Sequence, residues 1–160
     1  MRVAVKEGGT STMAVMITNR SVPVDTLLPH LTYRDLPAAI AWMAEVFGFV
    51  EHYHYGEPVS GAQMYLALHP RPVFFMVQQA RSATYGAQSL TVFMEDVEAH
   101  YAHAKAAGAK ILEEPHETVY GEFQYAAEDP GGHHWLFSRH ARDLSPADWG
   151  AVIVHDPEQN

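Results

Sequence analysis

Apolar and polar positions fall into a regular order from residue 24 onward. VDTLLPHLTYRD (24–35) suits a strand. Asp35 is placed to cap a helix, and Pro37 fits its first turn. In AAIAWMAEVFGF, Ile40, Met43, Ala44 and Phe47 recur at helical spacing, and Gly48 supplies a stop. VEHYHY (50–55), AQMYLAL (62–68) and PVFFMVQ (72–78) read as three strands divided by Gly and Pro signals. The order then recurs. QSLTVFME (88–95) reads as a strand, Asp96 as the cap of VEAHYAHAKAA, and Gly108 as its stop. AKILEEP, EFQYAAE and HHWLFS follow as strands, so each half is β-α-β-β-β. Residues 1–23, with VAV and AVMI around KEGGTST, read as an arm or loose hairpin with no assigned function.

Sliding the chain on itself by 60 residues brings nine identities into register between 30–80 and 90–140, among them Gly48/Gly108, Tyr65/Tyr125 and Pro70/Pro130. Ordinary residue frequencies give only about three over such a span. A duplicated module is expected. The tail, 141–160, carries a helix-start signal in Ser145-Pro-Ala-Asp148, with Trp149 as a packing anchor.

Composition narrows the classes. The 160 residues are 48% hydrophobic and 18% charged, with a formal net charge of -9. That balance opposes nucleic acid or an anionic membrane as the main partner, because both select clustered Lys and Arg. The chain has no Cys, which removes disulfides, thiolate metal sites and cysteine nucleophiles. No apolar run approaches the ~20 residues of a membrane span, and the N-terminus lacks a signal-peptide core. A cytoplasmic location is expected. P-loop, G-x-G-x-x-G and G-x-S-x-G motifs are absent. Eleven His residues make metal binding a question to test. His52 and His54 lie two apart on a strand and share one face, with solvation as their expected state, and His100 and His103 are expected to be exposed. Glu113–Glu114 and Glu128–Asp129 read as solvated loop carboxylates.

RDLPAAIAWMAEVFGF (34–49), MEDVEAHYAHAKAAGAKI (94–111) and YGEFQYAAEDPGGHHWLF (120–137) together resemble the vicinal oxygen chelate superfamily. It includes glyoxalase I, bleomycin-resistance proteins and extradiol dioxygenases. The resemblance implies an α+β fold over residues 24–140, with modules 24–80 and 81–140. Each module would curve a mixed sheet around a cavity with its helix outside, and pairing across a homodimer is common. Metal-using members take His or Gln from the first strand of each module and Glu from the last. Carried onto this chain, those positions fall on Leu28, Met76, Leu136 and either Ser89 or Leu90. Divalent first-row metals need imidazole, carboxylate or thiolate donors, so no metal and no cofactor is expected.

In EDPGGHHWLFSRH (128–140), Asp-Pro-Gly-Gly makes a turn and the two histidines point to opposite sides. With Trp135 and Phe137 turned to the helix, His134, Leu136 and Ser138 would line the cavity. Leu28, His30 and Thr32 would join from the first strand, and Phe74, Met76 and Gln78 from the fourth. Ser89, Thr91 and Phe93 complete the wall if the third strand keeps the family's phase; otherwise Leu90 and Val92 do. Apolar walls with a few polar groups suit a small, partly aromatic or amphipathic ligand. His30 and His134, read as buried, would need hydrogen-bonding partners there. Metal-independent binding is the leading expectation. No catalytic residue is assigned. The rival is a glyoxalase-like lyase, isomerase or dioxygenase. It would use a non-standard metal site on His30, His134 and Gln88 or Gln78, or a His general acid/base. A regulatory module with its cavity packed shut is the third expectation.

Overall fold

A computed structural model describes residues 2–7, 10–15, 28–82 and 86–152. In the arm, β1 (Arg2–Glu7) pairs antiparallel with β2 (Thr10–Val15). The first module begins with β3 (His30–Tyr33), shorter than the 24–35 expected; residues 24–27 lie outside the described residues. Pro29 ends the ladder as a donor, yet its carbonyl still accepts from Met76 N at 2.9 Å. Asp35 Oδ1 accepts from Ala38 N at 3.1 Å and starts α1 (Leu36–Trp42), with Pro37 in the first turn. The helix continues as a π-helical turn, Met43–Phe47, and stops at Gly48 in the left-handed region, φ 72°. Then come β4 (Val50–Tyr55), β5 (Gly61–Leu66) and β6 (Val73–Gln79). The second module repeats the order with β7 (Ser89–Phe93), α2 (Val97–Ala106), β8 (Lys110–Glu117), β9 (Glu122–Glu128) and β10 (His134–His140). Asp96 Oδ1 caps α2 through Ala99 N at 2.9 Å. A 3-10 helix over Pro146–Trp149 closes the described chain with the expected capping box, and Trp149 meets the Tyr120 ring edge-on at 5.8 Å. Among the described residues no helix is long and apolar enough to cross a membrane.

Each module forms one four-stranded mixed sheet, in the orders β3-β6-β5-β4 and β7-β10-β9-β8. First and last strands pair in parallel, and the other pairs are antiparallel. The fold is α+β with two βαβββ modules. One face of each sheet packs into a shared core with the helices. Phe49 packs on Phe75 at 5.3 Å and on Trp135 at 5.0 Å, while Phe47 meets Phe137 at 5.0 Å. These rings come from both modules, so aromatic packing joins the halves.

Two details depart from the sequence reading. Ala44 is exposed, and Val46 is buried in its place beside Met43 and Phe47. The wider π-turn rotates the buried stripe past position 44. Tyr65 and Tyr125 are not equivalent in space. Tyr65 pairs with Phe74 on the face away from the helices, whereas Tyr125 pairs with Phe137 in the core. The last strands do repeat at a spacing of 60, as Met76 and Leu136 show, but β9 is shifted in phase relative to β5.

The modules are also tied by buried polar groups that the sequence reading placed in solvent. Asp129 is only 4% exposed. Its Oδ1 accepts from Gly131 N (2.8 Å) and His133 N (3.0 Å), and its Oδ2 from Tyr33 Oη (2.6 Å) and Trp135 Nε1 (2.9 Å). A turn with this many inward N–H groups needs an anion, which explains why this carboxylate is buried. His133 Nδ1 accepts from Gln88 N at 2.8 Å while Nε2 donates to the Thr32 carbonyl at 2.8 Å. His100 is half-buried rather than exposed. Its Nε2 donates to Phe47 O at 2.9 Å and its Nδ1 accepts from Tyr125 Oη at 2.7 Å. Only the neutral ring can do both, and burial lowers the His100 pKa. Burial raises that of Tyr125. His103 stays exposed and donates to Glu45 O at 2.9 Å.

Candidate functional site

Strand register assigns every β-residue to a face. On the first sheet, His30, Met76 and Gln63 stand in one row; Thr32, Gln78 and Gly61 form the next, and Phe74 and Tyr65 flank the other side. This is the open face, turned away from the helices. On the second sheet the rows are Ser89–His134–Glu128, Thr91–Leu136–Ala126 and Phe93–Ser138–Gln124. The third strand therefore turns Ser89, Thr91 and Phe93 outward, while Leu90 and Val92 pack on the core. Leu28, half-buried, lies just before β3. The residues singled out in the sequence thus fall into two groups on separate sheets.

His30 is exposed, and the His134 side chain is 50% exposed with Nε2 3.4 Å from Glu128 Oε2. Neither is the buried imidazole expected, because each sits at the strand end where the sheet stops covering it. Glu128 also takes Lys110 Nζ at 3.0 Å, and that hydrogen bond chiefly lowers its pKa. Ser138 is fully buried and donates to Glu122 Oε2 at 3.1 Å; Glu122 Oε1 meets His140 Nδ1 at 2.6 Å. Phe93, 54% exposed, lies 5.2 Å from the His140 ring. Both side a cleft of about 570 Å³ between the modules, completed by Leu68, His69, Glu95 and Arg139. A second, more polar cavity of about 620 Å³ lies at the Thr32–Gln78 end of the first open face.

The centre of the first open face holds residues that sequence reasoning missed. A bulge in β4 between Glu51 and Tyr53 breaks the alternation expected for His52 and His54. His54 turns to Glu51, at 2.6 Å. His52 instead reaches over the sheet, and its Nδ1 donates to Gln63 Oε1 at 2.7 Å. Tyr53 brings its hydroxyl to Met76 Sδ at 4.0 Å. The His52 ring lies 5.8 Å from Phe74, which lies 5.5 Å from Tyr65. Gln63 is completely buried among them, and its Nε2 has no hydrogen-bond partner among the described residues. Turning the amide over moves the problem to the oxygen, so one polar atom stays unmatched in either orientation. Such an orphan costs about 1–3 kcal/mol. The period-two pattern of AQMYLAL, which sets Gln63 and Tyr65 opposite Met64 and Leu66, was the available signal.

The family resemblance would carry metal ligands onto Leu28, Met76, Leu136 and Ser89 or Leu90. Met76 is 9% exposed beside a phenol and an amide, and Leu136 lies between Thr91 and Ala126. This donor set does not fit a divalent metal. Among the described residues no three His, Asp or Glu side chains converge elsewhere, and His30 and His134 stand on different sheets.

Two four-stranded mixed sheets with parallel outer pairs and a common helical core define the protein class, and sequence and structure comparisons agree on it. Residues 24–137 match the Glyoxalase/Bleomycin resistance protein/Dioxygenase superfamily, and the chain belongs to that family. An uncharacterized protein from Mycobacterium bovis, Mb0911c, is 25% identical, over 74% of this chain and 86% of its own. TioX from Micromonospora sp. ML1 has the same fold, with TM-score 0.61, 24% identity, and 76% of this chain matched to 100% of that one. A glyoxalase/bleomycin resistance protein/dioxygenase from Nocardioides superposes with TM-score 0.60 at 14% identity, over 78% and 89% of the two chains.

Proposed function

We propose that this chain is a metal-independent small-molecule-binding protein of the glyoxalase/bleomycin-resistance type. Its ligand, partly aromatic or amphipathic, lies on the open face of the first sheet. The observation carrying this reading is the unmatched amide of Gln63, buried under His52, Tyr53, Tyr65 and Phe74. Aromatic walls around a single unsatisfied polar group are the usual composition of a ligand site. The homodimer belongs to the same reading: a second copy would cover an open face such as that of Phe93. Elemental analysis of purified, dialysed protein tests metal independence. Less than 0.1 equivalent of Zn, Ni, Fe or Mn is about what the reading expects given the donor chemistry; a stoichiometric metal ends it.

An enzymatic reading has one specific observation in its favour. Glu122 Oε1 holds His140 Nδ1, and His140 lines the cleft between modules, an arrangement suited to a general base. Turnover on a panel of carbonyl and catechol substrates, lost in His140→Ala and kept in His134→Ala, would establish it.

A further inference from the structure

The open face of the first sheet changes character along its length. Phe74, Tyr65 and Met76 make it apolar and aromatic at one end. Two residues further along β6, about 7 Å on, Gln78 and Thr32 begin the polar cavity of about 620 Å³. Gln78 Nε2 donates to Thr32 Oγ1 at 3.1 Å, and its second hydrogen has no acceptor among the described residues. Ser60 and Tyr55 close one side, and the Tyr55 ring lies against Gly61, where a Cβ would collide with it. Arg81, just past the end of β6, lines the other side. Neither Arg81 nor the Tyr55 hydroxyl has a hydrogen-bond or ion-pair partner among the described residues. Among the described residues the lining contains no carboxylate, although the chain carries 19 acidic residues against 10 basic ones. By contrast Arg139, in the cleft between modules, is already paired with Glu98 at 2.6 Å.

We infer that this cavity is the head-group subsite of the proposed ligand face, and that the ligand is an aromatic molecule carrying an acidic group. Arg81 takes the anion, with Tyr55 and Gln78 as neutral donors, while the ring system rests on Met76, Phe74 and Tyr65. A guanidinium with no carboxylate partner among the described residues offers a planar pair of donors that a carboxylate, sulfonate or phosphate matches. This inference rests on the ligand-face reading above and adds the acidic group to it.

Two fluorescent probes separate the two claims. Anilinonaphthalene sulfonate carries an aromatic body and an anion; phenylnaphthylamine has the body alone. Arg81→Gln is expected to weaken the sulfonate about tenfold, the usual worth of one charge-assisted contact, and to leave the neutral probe unchanged. Phe74→Ala weakens both, and Arg71→Gln, outside the cavity, weakens neither. If Arg81→Gln changes neither probe while Phe74→Ala weakens both, the head-group subsite is wrong and the ligand face stands. If neither probe binds the native protein, or Phe74→Ala changes neither, the ligand face falls and the subsite with it.

Discussion

Asp129 offers the sharpest test of how the two modules are joined. Replacing it by Asn preserves volume and removes one acceptor and the charge. With the amide oxygen in the Oδ1 position, Gly131 N and His133 N keep their partner, but the new NH2 group faces Trp135 Nε1–H, a donor against a donor. Tyr33 Oη can turn to accept, or give its hydrogen to Met43 Sδ at 3.6 Å. The opposite orientation sets NH2 against two backbone N–H groups and is worse. The minimum damage is therefore one buried indole N–H without an acceptor and the loss of charge assistance on the rest. At about 1.5–3 kcal/mol for each charge-assisted bond affected, Asp129→Asn should cost about 3 kcal/mol. That is a large share of the roughly 5–15 kcal/mol that holds a domain together. Tyr33→Phe removes a single bond and should cost about 1–2 kcal/mol. Combining the two should recover part of the sum, because they share one interaction. Urea unfolding followed by circular dichroism measures all three. A loss below about 1 kcal/mol for Asp129→Asn, or strict additivity with Tyr33→Phe, would refute the reasoning.

Two further outcomes follow from the same core. Free imidazole takes its proton near 6.5, and folded His100 only at lower pH, so between those values the unfolded chain binds more protons. Stability should thus fall as pH drops below about 6.5, and His100→Gln should flatten that slope in melting-temperature profiles; an unchanged slope would contradict it. Gly131→Ala would set a Cβ 2.7 Å from the buried Tyr33 ring, so a loss of about 1–3 kcal/mol is expected in the same urea assay, and none if the turn can shift freely.

Much of this architecture was legible in the pattern. Asp35, Asp96, Gly48 and Gly108 mark both helices because capping chemistry is local. Alternation in HHWLFS gave the correct faces of β10 because Trp135 and Phe137 must be buried. Where the sequence misled, the cause was tertiary. The π-turn after Trp42 moved the helix stripe past Ala44. The bulge after Glu51 sent His52 over Gln63, and no local signal reports a bulge. The Tyr65/Tyr125 identity suggested equivalence, yet the two strands differ in phase. Asp129 and His100 looked like surface groups because their partners lie in the other module or across the core. The alternation of AQMYLAL marks the face of Gln63, but its burial depends on side chains of the bulged β4, which no local pattern reports.

The central claim is metal-free ligand binding on the first open face. Backbone amide shifts in nitrogen-labelled protein, followed while anilinonaphthalene sulfonate is added with and without EDTA, test it most directly. The account predicts shifts at Gln63, Tyr65, Phe74 and Met76, with the same affinity in both buffers. Shifts confined to other surfaces, or binding abolished by EDTA, would contradict it.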